Sequence, residues 1–559
     1  MKRAIIPSTV LLLLLPAALA QQAPELSPYL PGLQPWKLVK GDESSAMLGS
    51  EVPRVPEELY RVYVSANLHG SLATPLVDEK EVFLADGIAV YALNAENGKE
   101  EWEADVYDNF KGRFVETYAL NEHLYVATSR TPGGGGRSFL LALSKSTGRV
   151  VWKKEVGDKP TSNMIIADGR LCFGTVYTEG LVRCFTLSGE PVWSTKVGGN
   201  VRGLAAYGDV LYVSTEGGEP SKKLYALNLS DGRILWSYKH NSIVKSPAVK
   251  NGRIFFVDST GSVVSLSEDG KLTWVKKLGA GSDVNGHSLL AVGDRELYVA
   301  RTLGEKPLNL FVLDFSGKVI GNFTLDKEEE PGRPVAAGDI VLLPVRGRDY
   351  GRVYFLWRGT TLLHQVTYRG EEVFTPRVSS AGGAVFAIFS VDRKRQMLVI
   401  LGDKKVPAIE NVTVAGKVRS NEGVKIRAVI GDRESAIYRA LLFYRVNGSR
   451  WRAVEMLPER RYVVEPAGGY GLKPEPFAAI IPPQPAGSVV EYMVAAIDSV
   501  GNHALSQSLS YLVTEPEEEK ERAPVRVSAA KEERGVCGPT STALIALLAL
   551  ALLRRQNGR

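Results

Sequence analysis

The stretch Lys223–Trp236, KLYALNLSDGRILW, sets the pattern on which most of the chain is built. Its first six residues roughly alternate polar and apolar, the period of a half-buried strand. Ser230–Gly232 is turn chemistry, with glycine free to take a positive φ, and Arg233–Trp236 opens the next strand. The phrase recurs as VYALNAENGKEEW (Val90–Trp102), LLALSKSTGRVVW (Leu140–Trp152), CFTLSGEPVW (Cys184–Trp193) and VVSLSEDGKLTW (Val263–Trp274). In every copy the tryptophan follows the turn glycine by four residues, and successive tryptophans stand 38 to 50 residues apart. Each copy has a hairpin upstream. The clear turns are Asp168-Gly169, Gly208-Asp209, Asn251-Gly252, Gly293-Asp294, Gly338-Asp339 and Gly382-Gly383, and Asp78–Lys80 and Asn121-Glu122 fill the same place with weaker turn residues. Glycine beside Asn or Asp is the strongest short hairpin signal. A repeat of this length made of four short strands predicts a β-propeller. A helical solenoid would need apolar residues at i, i+3 and i+4, which are not sustained here.

Eight hairpins predict eight blades over residues 57–402, at about 43 residues each. Leu59–Val64 reads as a lone strand ahead of the first blade, and Pro376–Leu401 lacks an outermost strand. Pairing the two would close the ring and remove free edges. Trp102, Trp152, Trp193, Trp236 and Trp274 are expected to wedge between neighbouring blades, where an indole buries a large apolar area.

These repeats resemble the PQQ-like (quinoprotein-type) β-propeller, whose hallmark is A-L-[DN]-x-x-x-G-x-x-x-W. The copies ending at Trp102 and Trp236 match it closely, and the one ending at Trp152 departs at Ser144. The likeness weakens after Trp274, and Leu310–Phe323 has Gly321 where tryptophan belongs. The resemblance implies a propeller and leaves function open, since one fold serves many roles. Quinoprotein dehydrogenases with such repeats often use two adjacent cysteines beneath the cofactor and acidic calcium ligands. No two of the three cysteines here are adjacent, so PQQ is not expected, nor is any other cofactor.

Past the propeller the tryptophan phrase stops. Residues 407–513 carry other alternating runs, and Tyr492–Asn502, YMVAAIDSVGN, resembles the closing strand and turn of immunoglobulin-like or fibronectin III-like sandwiches. The expected fold class is therefore all-β, an eight-bladed propeller followed by a β-sandwich.

The two ends address the chain. Residues 1–20 have a basic start, an apolar run and a small-residue site at Ala18-Leu19-Ala20, the marks of a secretory signal peptide. An uncleaved membrane anchor is the other reading. Residues 21–56 form an extended lead-in, and 514–535 a charged stalk. In 536–559, Cys537-Gly538-Pro539 precedes the apolar run Ala543–Leu553 and Arg554-Arg555. That run is short of the roughly 20 residues that cross a bilayer. The order resembles the CGP-CTERM sorting signal of archaeal surface proteins, which implies a processed tail and a membrane tether; a plain C-terminal membrane helix is the alternative. Both place the body outside the cell. The formal charge is +6, but Lys2, Arg3, Arg554, Arg555 and Arg559 contribute five of it. The near-neutral body does not look like a nucleic-acid binder.

Candidate chemistry is sparse. Cys172 and Cys184 flank the turn Tyr177–Gly180 almost symmetrically and could face each other across a hairpin. Export permits a disulfide; two free thiols are the other reading, because the bond geometry is demanding. The six histidines show no metal-ligand spacing, so no metal is expected. There is no P-loop and no nucleophile elbow. Arg113, Arg202, Lys245, His287, Arg333 and Arg377 stand just before the inner strands. There they could form a positive rim at the channel mouth for an anionic ligand, or simply point into water. Asn228, Asn322, Asn411 and Asn447 head glycosylation sequons. Together these features suggest a surface-anchored, non-enzymatic binding or scaffold protein. Its partner would be a protein, a cell-envelope component or an extracellular polymer. A quinoprotein-like oxidoreductase or a polysaccharide-active enzyme is the alternative, because carboxylates far apart in sequence can converge.

Overall fold

A computed structural model of the chain describes residues 52–515 apart from short stretches, the longest being 66–72, 131–137, 241–246, 279–288 and 461–467, and also Pro24, Leu26, Pro28, Leu48 and Gly49. Among the described residues nearly every element is a strand, and the one helix, Val106–Asn109, has four residues.

Blade 4 shows how the repeat folds. Its strands run antiparallel from the inner Asn200–Tyr207 through Val210–Glu216 and Lys223–Asn228 to the outer Ile234–Lys239. Gly208, at φ 54°, turns the first hairpin, a conformation that costs glycine nothing. Inner strands at Leu76–Asp78, Arg113–Leu120, Ile165–Ala167, Ala248–Lys250, Leu290–Val292, Val335–Ala337 and Arg377–Ala381 start the other seven blades. The ring closes through Glu57–Ser65, the outer strand of blade 8, which pairs Tyr60 with Ile400 and Val62 with Leu398. Leu48–Gly49 adds a parallel strand to the inner strand of blade 7.

The middle strands are not half-buried, as the alternation suggested. Leu224–Leu227 are all buried, as is the whole of Ala384–Ser390. Each blade is sandwiched between two others, so both faces of a middle strand are covered and both must be apolar. The core accordingly lies between blades: Phe83 and Val90 of blade 1, for example, pack with Leu120, Val126 and Leu141 of blade 2. Only the outer strands keep a clean alternation, as in Ile234–Lys239 after its first two residues.

The C-terminal region is a curled sheet. Its strand order is Ala408–Ala415, Val424–Gly431, Glu475–Ile481, Arg452–Pro458, Ile437–Val446, Val489–Asp498 and His503–Leu505, with Leu509–Leu512 also pairing to Val489–Asp498. Arg452–Pro458 pairs with Ile437–Val446 along one edge, and at Leu457 and Pro458 it pairs with Glu475–Ile481 on the other. The layers are thus continuous, and the sheet curls into a half-barrel around Ile426, Ile430, Leu442, Phe477 and Val494. The propeller and this sheet belong to one compact unit that ends at Thr514.

Candidate functional site

The five tryptophans occupy the seams between blades. Each indole lies on the turn glycine of the next blade: Trp102 on Gly148, Trp152 on Gly189, Trp193 on Gly232, Trp236 on Gly270 and Trp274 on Gly317. A Cβ at any of these glycines would fall within 3 Å of the ring. Each indole N–H also donates to a carbonyl of that same turn, as Trp193 does to Leu229 at 2.9 Å and Trp274 to Phe315 at 3.0 Å. This satisfies the polar edge of a large apolar group and commits these side chains to architecture.

The channel mouth is less uniform than a ring of like charges. Arg202, on the inner strand of blade 4, is ion-paired with Glu216 of its own blade, and burial pulls its guanidinium below its ordinary pKa. Arg377 opens the inner strand of blade 8. Burial lowers its pKa too, opposed by Tyr118 from the inner strand of blade 2, and its Nε has no hydrogen-bond partner among the described residues. Tyr118 itself donates to the Thr74 carbonyl at 2.5 Å, ahead of the inner strand of blade 1. Arg333 is half-buried just before the inner strand of blade 7. Arg113 starts the inner strand of blade 2, and Lys245 and His287 lie outside the described residues.

A second concentration of charge lies where the propeller meets the curled sheet. Asp403 follows the last propeller strand, Asp432 follows Val424–Gly431, and Asp498 ends Val489–Asp498. Oxygens of the three carboxyls come within 4.8 Å of one another, close enough to surround a single cation. Asp498 is wholly buried and Asp432 nearly so. Burial pushes the Asp498 carboxyl up to about 7 and that of Asp432 to about 6, with the neighbouring carboxylates adding to both. Donors oppose this. Asp498 accepts from the amides of Val500 and Asn502 and from Asn502 Nδ2, and Asp432 from the amides of Glu434 and Ser435. Burial is the stronger influence, as expected for carboxyls removed from water. Around them the two parts are stitched together. Asn502 donates to the Asp403 carbonyl at 3.1 Å, Lys405 pairs with Glu434 at 2.9 Å, and Arg54 donates to Ser499 Oγ at 2.6 Å and to the Gly468 carbonyl at 3.2 Å. Sequence reading missed this triad because its members are dozens of residues apart and only the fold brings them together.

Cys172 and Cys184 face each other on paired strands of blade 3, fully buried, with Cα atoms 4.2 Å apart and the sulfurs bonded. Of the sequon asparagines, Asn322, Asn411 and Asn447 are exposed. Asn228 is half-buried, and its Oδ1 accepts from Ser230 in the hallmark turn. Residues 1–20 and Cys537-Gly538-Pro539 lie outside the described residues.

The family model described as outer membrane protein assembly factor BamB matches residues 56–219 and 178–391, which together cover the propeller up to its last strand, Arg395–Gly402, and more than half of the chain. BamB of Nitrosomonas eutropha is 28% identical over 162 residues, covering 29% of this chain and 36% of that protein. A tetrathionate hydrolase of Acidithiobacillus ferrooxidans is 23% identical over 211 residues, 37% of this chain and 38% of that one. The chain spans from 36% to 67% of the length of the first curated relatives it matches. Among solved structures, BamB from Moraxella catarrhalis superposes with a TM-score of 0.46 at 13% identity, covering 63% of this chain and 98% of that one. With its repeats matched from residue 56 to residue 391, the chain belongs to the PQQ-repeat family described as outer membrane protein assembly factor BamB.

Proposed function

We propose that the protein is a non-enzymatic scaffold of the cell envelope whose propeller holds another protein in place. The observation that carries this reading is the family match, which takes in all of the propeller but its last strand and bears the name of an assembly factor. Such a role asks for shaped surface rather than a reaction centre. The five hallmark tryptophans serve the seams, and Arg202 is neutralised within its own blade, which also fits a body built for display.

In this reading residues 1–20 direct export, Cys537-Gly538-Pro539 marks the surface tether, and residues 407–513 act as an immunoglobulin-like module that stiffens the last blades. The Cys172–Cys184 bond, glycans on the exposed sequon asparagines and any anion held by Arg377 would be features of an extracellular body. Crosslinking in intact cells followed by mass spectrometry tests it. The expected result is propeller lysines joined to an envelope protein, in a mature chain that starts after Ala20 and is modified at Cys537. Polysaccharide cleavage or quinone-dependent oxidation by the purified protein would overturn it in favour of an enzyme.

A further inference from the structure

The outer strands carry a feature that the seams and the channel do not use. In most blades the residue just before the tryptophan position is an extra, unpaired one. Ala226 pairs with Trp236 and Leu227 with Ile234, which leaves Leu235 as a bulge. The same irregularity leaves out Val151, Val192 and Ile320 in blades 2, 3 and 6, and Leu363 in blade 7. A bulge re-aims side chains. Here it turns two successive residues outward, so Ile234 and Leu235 are both 42% exposed, Val151 51%, Val192 40% and Ile320 51%. Leu363 has the same bulge position but is only half-buried, because the C-terminal region lies over it: a Cβ on Gly468 would stand 3.5 Å from its side chain. One apolar bulge is therefore covered by the chain itself, while its counterparts on blades 2, 3, 4 and 6 are open.

Charge narrows what could cover them. The outer strands of blades 2 to 5 carry Lys153, Lys154, Lys196, Lys239, Lys276 and Lys277 against Glu155 alone. The outer strand of blade 1, Glu100–Asp105, reads EEWEAD and is wholly acidic in its charges. Among the described residues these outer strands are also the last of their sheets, each paired on one side only. An edge of this kind offers backbone donors and acceptors to another chain.

We propose that the outer wall of blades 2 to 5 is a docking surface for an extended protein segment that alternates apolar and acidic residues, laid along the free edge with its apolar side chains over the bulges of blades 2 to 4 and its carboxylates toward the lysines of blades 2 to 5. This rests on the scaffold reading above and names its surface and its partner's chemistry. Blades 2, 3 and 4 repeat the arrangement in succession, so a long segment could engage several edges in turn.

A short labelled peptide of alternating leucine and glutamate, and its leucine–lysine counterpart, test this on the full chain by fluorescence anisotropy and hydrogen exchange. The acidic peptide should bind, should weaken as salt is added, and should protect amides of Ile234–Lys239 and its counterparts. Leu235→Asp and, as a second exposed site, Val192→Asp should each weaken it about tenfold without moving the thermal midpoint. Equal binding of the basic peptide, protection elsewhere, or unchanged binding by both variants would overturn the proposal. So would self-association of the chain that buries the same edges, since a second copy would then be the occupant. A cellular crosslink to an envelope protein mapping to another face would sink this inference while leaving the scaffold reading intact.

Discussion

Replacing Asp498 with asparagine should make the protein more stable at alkaline pH and not at acid pH. In the fold the carboxyl titrates at about 7 against an ordinary 3.8. A carboxyl raised in this way keeps its proton longer in the folded chain than in the unfolded one, so its contribution is fullest below about pH 4 and is lost as the pH climbs to about 7. At 1.36 kcal/mol per pH unit, holding Asp498 ionised at pH 8 costs the fold about 4 kcal/mol. Asp498→Asn removes that cost and also relieves Asp432 and Asp403, which face it. Against this, the asparagine amide would meet Asn502 Nδ2, which now donates to Asp498 at 2.8 Å; losing that bond costs about 1–2 kcal/mol. Lys405 favours the ionised form of Asp403 but is itself paired with Glu434, and burial still prevails at Asp403. The net expectation is a gain of ~2 kcal/mol at pH 8 and a slight loss at pH 4.5. Urea unfolding of wild type and variant at the two pH values reads this difference directly, with other titrating groups common to both. A variant no more stable than wild type at pH 8, or an equal difference at both, would refute the reasoning.

The seam of blades 1 and 2 can be tested as a cycle. Trp102→Ala should cost about 3–4 kcal/mol, since the indole is 9% exposed. Gly148→Ala should cost about 2 kcal/mol, part of it from φ +65° and part from a Cβ 2.5 Å from the Trp102 ring. In the double variant the steric part disappears, so the two costs should not add; additive unfolding free energies would contradict the stacked geometry. Glu329 is fully buried and accepts from Arg352 at 2.9 Å, Tyr350 at 3.0 Å and Tyr354 at 2.9 Å. Glu329→Gln strips Arg352 of its buried counter-charge and should lower the thermal midpoint through a loss of about 2–3 kcal/mol, whereas an unchanged midpoint would show the network to be incidental.

The propeller was legible because each of its rules is local. A turn glycine, an alternating strand and a tryptophan at fixed spacing state one blade, and their recurrence states the ring. The closing role of Leu59–Val64 followed from counting strands, since one blade was short of an edge. The burial of Leu224–Leu227 on both faces was not legible, because which faces are covered depends on the neighbouring blades rather than on the strand. Nor was the bulge at Leu235. Counted along the chain, Ile234 and Leu235 should point to opposite sides, and only the hydrogen-bond register shows them both turned outward. The acidic triad was invisible for a different reason: 29 residues separate Asp403 from Asp432 and 66 separate Asp432 from Asp498, and no spacing rule spans such distances.

By itself, then, the sequence determined what each small sheet must be and how often it is repeated, because strand period, turn conformation and the need to bury an indole act within a few residues. The tertiary structure alone decided which surfaces are left to bind. The turn glycine, for instance, serves its own hairpin through φ, and a neighbour's tryptophan through its missing side chain. That second duty, like the meeting of Asp403, Asp432 and Asp498 and the open wall of blades 2 to 5, arises only when separate elements come into contact, and contact across the ring is not written in any single stretch of chain.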